Sequence, residues 1–325
     1  MLVLSDCPER LAGLAPDGSW SQVRAGSLPA GDRTLWRTLG ASERLWRATG
    51  AEPGPPGYWS RALIVAEARA SQFDALRELL AGGLGLAGPT ACAALSGRGF
   101  HGQRDRPWLS APGNLHLCAA FPEPGLPARD AGSLTMLPAV ALVEAVRATT
   151  GGSLRPGIKW VNDVLLDGRK IGGVLTATQT QGDGVRSVLV GVGLNVSTTP
   201  PVPPTPFVPS VSSLAEAGSG VTWADACAGV LAALGRWMTR TAGAGPAALL
   251  DAYRDASLVV GREVCIFEEE SADGRAAPGS RQPSPLHRGI VRGIGADLAL
   301  IVEGVETPVA RGRLAFAEDC PRIGS

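Results

Sequence analysis

Residues 158–196 read IKWVNDVLLDGRKIGGVLTATQTQGDGVRSVLVGVGLNV, and this stretch decides the fold. Three apolar runs follow closely: IKWVND (158–163), KIGGVLTATQT (170–180) and SVLVGVGLNV (187–196). Short apolar, β-branched runs bounded by Gly and Asp read as strands. Asp167-Gly168 is the two-residue turn of a hairpin, since both its central positions need positive φ. The stretch also holds every lysine of the chain. Of 30 basic residues only Lys159 and Lys170 are lysine; the rest are arginine. A chain that favours arginine keeps lysine chiefly where a compact ammonium on a flexible stem does what a planar guanidinium cannot.

Working outward, RALIVAEA (61–68) and LHLCAAF (115–121) read as strands. SQFDALRELLAGG is a helix with Ser71 as N-cap and Gly82 as stop. SLTMLPAVALVEAVRATTGG (133–152) is a buried helix that starts late or kinks at Pro138. TTPPVPPTPFVPS (198–210) has five prolines within 200–206 and is a loop, and amphipathic helices are predicted over 223–241 and 246–255. After residue 257 come four short strands, VGREVCIFEE, HRGIVRGIG, ALIVEG and TPVARGRLAF, with a polar loop over 271–285. That pattern predicts a small β-barrel. Residues 1–60, with Trp20, Trp36, Trp46 and Trp59 spread among Gly, Pro and Arg, are poorly patterned and predict an extension packed on its neighbour.

Composition bounds the function. The 325 residues carry 30 basic and 30 acidic groups, which argues against a nucleic-acid partner. No apolar run approaches the ~18 residues of a membrane span. Asp6 and Glu9 interrupt the N-terminus before a signal-peptide core could form. Six scattered cysteines without a CxxC, and three scattered histidines, predict reduced thiols in a cytoplasmic protein with no zinc site.

Three segments carry candidate chemistry. In SGRGFHG, glycines at 97, 99 and 102 let a loop approach a ligand and point N–H groups at an anion, although an ordinary turn has the same look. Lys159 beside a glycine hairpin suits a site that polarises a carboxylate and a phosphate, the alternative being a side chain that snorkels at a strand edge. Gly191-Val192-Gly193-Leu194-Asn195 ends a strand in bare backbone and one amide, and turn capping is the other use of such an asparagine.

Taken in order, GRGxxG, then Trp108, Ser110, Pro112, Gly113, Asn114 and Leu115, then KWVND, KIGGVL and GVGLN resemble the biotin protein ligase family. The resemblance continues through Ser212-Ser213-Leu214 and Tyr253-Arg254 and covers about residues 61–318. It implies an α+β fold: a mixed or antiparallel sheet flanked by helices over 61–256, and an SH3-like β-barrel over 257–325. Residues 1–60 would precede them with an unknown role, without the family's DNA-binding domain.

The resemblance further implies a two-step reaction using ATP and Mg²⁺. The biotin carboxylate attacks the α-phosphate of ATP to give an acyl adenylate and pyrophosphate. A lysine of a biotin carboxyl carrier protein domain then attacks the activated carbonyl. Lys159 and Arg98 would be catalytic. Ser71, Gln72, Phe73, Ala94, Gly99 and Phe100 would bind the acid with them. Gly97, Gly102, Trp108, Asn162, Lys170, Gly193 and Asn195 would hold the nucleotide, and Asp163 the metal. A homodimer through a sheet edge is allowed; a nucleic acid or a membrane is not expected.

The sequence also departs from the family's pattern. Phe100 and Gln103 stand at the later arginine positions of a GRGRxGR loop, with Arg104 and Arg106 as stand-ins in a short insertion. Ala94 replaces a biotin-contacting Gln, Ser71-Gln72-Phe73 a Ser-Thr-Asn, and Ala177 an acid. The alternatives are therefore a ligase for lipoate or another acid, against which the RRxSGGG-type loop is missing, and a non-catalytic regulatory paralogue.

Overall fold

The computed structural model describes residues 1–11, 14–15, 19–39, 42–50, 53–269 and 284–320. Its first strands are β1 (Leu2–Ser5), β2 (Ser21–Arg24) and β3 (Arg44–Thr49), with helix α1 (Ala30–Leu39) between the last two. Then come β4 (Arg61–Ala68), α2 (Gln72–Ala81), β5 (Thr90–Gly97), β6 (Leu115–Pro122) and α3 (Leu137–Thr149). β7 (Gly157–Lys159), β8 (Asp163–Leu166), β9 (Arg169–Gln181) and β10 (Gly184–Leu194) precede α4 (Trp223–Ala244) and α5 (Ala247–Asp255). The last strands are β11 (Glu263–Phe267), β12 (His287–Ile294), β13 (Leu300–Val302) and β14 (Arg313–Phe316).

Ten strands form one mixed sheet in the order β2-β3-β1-β4-β5-β6-β10-β9-β8-β7. β4 runs parallel to β1 and β5, and the remaining pairs are antiparallel. Alternation sorts each strand's side chains between two cores. Ala62, Ile64, Ala91 and Ala93 face the core that includes α3, α4 and α5. Leu63, Val65, Cys92 and Ala94 face the one that includes α1 and α2. A sheet buried on both faces explains why these strands read as continuous apolar runs. Among the described residues no single helix is long and apolar enough to cross a membrane.

Local signals operate as expected at α2, where the Ser71 hydroxyl accepts from the Asp74 amide and Gly82 follows the last turn. Helix α3 starts late, at Leu137, so Pro138 lies in its first turn, where no N–H is needed. The Asp167-Gly168 turn has φ of 49° and 77°, and it joins β8 to β9. Thr222 and Asp225 form a reciprocal capping box at α4. Thr222→Ala is expected to lower stability by about 1 kcal/mol, read from urea unfolding.

Two expectations need correction. IKWVND is not one strand. The chain reverses at Trp160–Asn162, so that Lys159 and Asp163 become cross-strand partners. The reversal is held by distant groups: the Trp160 indole donates to the Leu298 carbonyl at 2.8 Å, and the Tyr253 hydroxyl to the Val161 carbonyl at 2.9 Å. Residues 2–49 are not an appendage either, because β1, β2 and β3 continue the main sheet beyond β4. Trp36 is fully buried in the second core, and Asp32 of α1 pairs with Arg61 of β4. Strands of only four to six residues give little pattern on their own and are stabilised by the neighbour they pair with.

The four C-terminal strands form a separate antiparallel sheet, β13-β12-β11-β14. Of the expected 271–285 loop, residues 271–283 lie outside the described residues. Val264, Ile266, Leu314 and Phe316 join the first core, and Arg254 of α5 donates to the Ile294 carbonyl at 2.6 and 2.9 Å. The small sheet is thus fixed against the large one at the end where β7 and β8 turn.

Candidate active site

A cavity of about 320 Å³ opens over the β6–β10–β9–β8 part of the sheet. Its floor is bare backbone. Gly191 and Gly193 project the same way from β10; a Cβ at Gly191 would lie 3.2 Å from the Phe73 ring, and one at Gly193 only 2.6 Å from the Trp108 ring. Glycine at both positions lets two aromatic rings pack closely against the strand, with Gly173 of β9 beside the Trp108 ring. Along one side stand Ser71, Gln72 and Phe73 from the start of α2, and His116 and Cys118 from β6. Phe100 stacks on His116 with centroids 4.8 Å apart. Burial pulls the His116 imidazole down to about 4, so it is neutral. This end is apolar with few polar groups, a surface for an organic acid's carbon skeleton.

The other end is cationic. Lys159 is 3% exposed; its ammonium donates to the Phe207 carbonyl and lies 5.6 Å from the Phe316 ring. Burial lowers its pKa to about 8, against the pull of Asp163. The Lys170 ammonium donates to Asp163 Oδ1 at 2.6 Å and sits 5.6 Å from the Trp108 ring. Burial alone would raise the Asp163 pKa, but Lys170 and Lys159 outweigh it and hold the carboxyl below its ordinary value. Arg106 and Arg313 also line the cavity, so four cations face one acid. Such an excess suits a place where two anions must meet.

The fold brings most of the expected site residues together. Lys159, Lys170, Asn162, Asp163, Gly193 and Asn195 line the cavity, as do Trp108, Gly102, Phe100 and the Ser71–Phe73 turn. Gly97, Arg98, Gly99 and Ala94 do not. Arg98, expected to be catalytic, has an 83% exposed side chain and reaches Glu67 at 3.3 Å. Gly97 and Gly99 shape the loop instead: a Cβ on Gly97 would strike the Phe100 ring at 2.6 Å, and Gly99 has φ of 68°. Ala94 is buried in the sheet's second core. Of the two stand-in arginines, Arg106 faces the cavity, whereas Arg104 pairs with Glu269.

The asparagines are largely structural. Asn195 donates to the Ser212 carbonyl at 2.9 Å, and Asn162 to the Val174 carbonyl at 2.9 Å. By contrast, the Trp108 indole N–H is buried without an acceptor, which leaves a donor for a bound ligand.

Asp163 does not make a resident metal centre. Its carboxylate is the counter-ion of Lys170, it is the one acid among the lining residues, and no three potential ligands cluster among the described residues. Any Mg²⁺ here would arrive on the phosphates of its nucleotide.

Two elements were not foreseen. The proline-rich segment contributes Pro200, Val202, Pro203, Thr205, Phe207 and Val208 to the wall, and Phe207 both accepts from Lys159 and lies under the Arg313 guanidinium at 3.7 Å. Gly312–Leu314 come from the small sheet. The only sequence signal for the first was its position directly after GVGLN; for the second there was none.

Comparison with known proteins follows this geometry. Residues 86–195, which hold the loop, both lysines and the glycine strand, match the Biotin/lipoate A/B protein ligase family. A biotin–[acetyl-CoA-carboxylase] ligase of Paracoccus denitrificans is 30% identical over 238 residues, 72% of this chain and 91% of that protein. The bifunctional ligase/repressor BirA of Bacillus spizizenii is 40% identical over 96 residues, 30% of this chain and 29% of its own length. The matched region therefore spans about a third of the bifunctional relatives. Among solved structures, the biotin protein ligase of Aquifex aeolicus in complex with biotin and ATP shares the fold with a TM-score of 0.59 at 18% identity, covering 79% of this chain and 98% of that one. A fold, a lysine-lined glycine cavity and a full-length relative agree, and the chain belongs to the biotin protein ligase family.

Proposed function

We propose that the protein is an ATP-dependent ligase that activates biotin as an acyl adenylate and transfers it to a lysine of a biotin carboxyl carrier domain. The observation that carries this reading is the Lys159 ammonium, buried at the junction of an apolar pocket and a cationic one. A carboxylate seated there meets a positive charge on leaving water, and an α-phosphate entering from the Lys170 side meets the same charge. Lys159 then stabilises the negative charge that collects between the two in the transition state. It exchanges the Phe207 carbonyl for a substrate oxygen as it does so.

The other groups position the partners. Lys170, held by Asp163, and Arg106 and Arg313 draw in the phosphates. The Trp108 indole N–H is a free donor beside the glycine floor. Phe73 and Phe100 hold the acid's carbon skeleton and exclude water from the adenylate. Arg98, exposed and paired with Glu67, lies outside the cavity. On this reading residues 61–256 carry the catalytic unit, and the sheet within 257–320 closes one wall.

The test is ATP–pyrophosphate exchange with biotin, lipoate and octanoate in parallel, followed by mass spectrometry of a carrier domain. Biotin-dependent exchange and a biotinylated carrier are expected. Exchange with lipoate but not biotin would move the assignment to a sister ligase, and no exchange with any acid would remove the enzymatic reading.

A further inference from the structure

The segment from Arg98 to Trp108 is a small flap over the acid end of the cavity. Its two arms are tied by the Gly102 amide to the Arg106 carbonyl at 2.7 Å and the Trp108 amide to the Phe100 carbonyl at 2.9 Å. Phe100, His101, Gly102 and Gln103 line the cavity. Arg98 and Arg104 pair outward with Glu67 and Glu269, and the tie to α2 is His101, whose Nε2 lies 2.6 Å from Asp74 Oδ2 in that helix's first turn. The other ring nitrogen, Nδ1, lies 3.0 Å from the Gly102 carbonyl and 3.5 Å from Asp105 Oδ1.

Every oxygen facing the ring can only accept. A neutral imidazole has one N–H and one lone pair, so it satisfies one side and sets a lone pair against an oxygen on the other. The imidazolium satisfies both. We infer that His101 is a protonation-dependent latch, which as imidazolium holds the flap against α2 and positions the lid of the acid-binding end.

The surroundings agree. Burial disfavours the charged ring, but the Gly102 carbonyl and the bond and charge of Asp74 outweigh it, with Asp105 adding to them, and the pKa is raised above 6.5. Asp105 is almost fully exposed, so its pull is screened by solvent, and Arg77 reaches the other Asp74 oxygen at 2.8 Å. A raised pKa means that the latch is at full strength below about 6.5 and is lost as pH rises through the higher folded value. His101 is a positioning residue: both its ring nitrogens are engaged by Asp74, Asp105 and the Gly102 carbonyl, and it acts through Phe100, whose ring stacks on His116 in the acid pocket.

The biological consequence rests on the acid being biotin, but the latch itself can be read without any ligand. Amide hydrogen exchange of the full-length protein would be followed from about pH 6 to about pH 8.5 and corrected for the intrinsic rate. Protection of the Gly102 and Trp108 amides is expected to fall about tenfold more than that of β10 amides in the wild type. In His101→Gln, which keeps a donor but does not titrate there, that extra fall should vanish. In Asp74→Asn it should move to lower pH, because the charge favouring imidazolium is gone. The same pH dependence in wild type and His101→Gln, or none in the wild type, overturns the latch. In parallel, the KM for biotin should rise with pH by a similar factor more in the wild type than in His101→Gln, which shares the titration of Lys159. An absence of biotin turnover at every pH would strike the substrate assignment alone, leaving the exchange data to judge the latch.

Discussion

Lys159→Arg will lower adenylate formation by about a hundredfold or more, although it conserves charge. The ammonium sits between the Phe207 carbonyl and the Phe316 ring at 3% exposure, and a longer planar fork cannot reproduce a point charge that pivots from that carbonyl to a substrate. Lys159→Met should be as inactive, yet it should melt no lower than the wild type. Burial already disfavours this charge, as its pKa of about 8 records, so an apolar side chain of similar length relieves desolvation rather than breaking a network. Loss of activity with retained stability separates a catalytic group from a structural one. The pH profile supplies a second check. The lysine must be charged to hold the carboxylate, so kcat/KM for biotin is expected to fall as pH rises through about 8. Wild-type exchange rates in Lys159→Arg, or a profile flat to about pH 9.5, would falsify the role given to this residue.

Asp163→Ala should damage stability as well as activity. Its carboxylate is the partner of Lys170 and lies within the field of Lys159, and both members of the Asp163–Lys170 pair are about four-fifths buried. Removing one partner of such a pair leaves two ammonium groups facing each other without a counter-charge, at a cost of about 3 kcal/mol. The double variant Asp163→Ala/Lys170→Met should recover part of that loss, since it removes the orphaned charge too; a double variant no more stable than the single one would sink the account. The pH dependence has a definite sign. With the folded carboxyl held below its ordinary 3.8, its contribution is present above that value and fades as pH falls through the lower folded one. The gap between wild type and Asp163→Asn in chemical denaturation should therefore be constant near neutrality and close only in strong acid.

Much of this molecule follows from local rules. Ser71 and Gly82 bound α2 because a hydroxyl satisfies an orphan amide at one end and a glycine stops the other. Asp167-Gly168 turns a hairpin because it tolerates positive φ twice, and Pro138 defers α3 because it lacks an N–H. Signals of this kind act within a few residues, so they survive without knowledge of what packs where.

What the tertiary structure alone decided is the company each side chain keeps. The turn that sets Lys159 across from Asp163 is pinned by Leu298, 138 residues from Trp160. The carbonyl on Lys159 comes from Phe207, 48 residues away in a segment that reads simply as a loop. Arg313 arrives from another sheet, Arg98 turns out to Glu67, and short strands near the N-terminus become part of the main sheet through long-range pairing and burial. Which elements form is written in neighbours along the chain; which charges meet is set by burial and long-range pairing, and no local window contains that information.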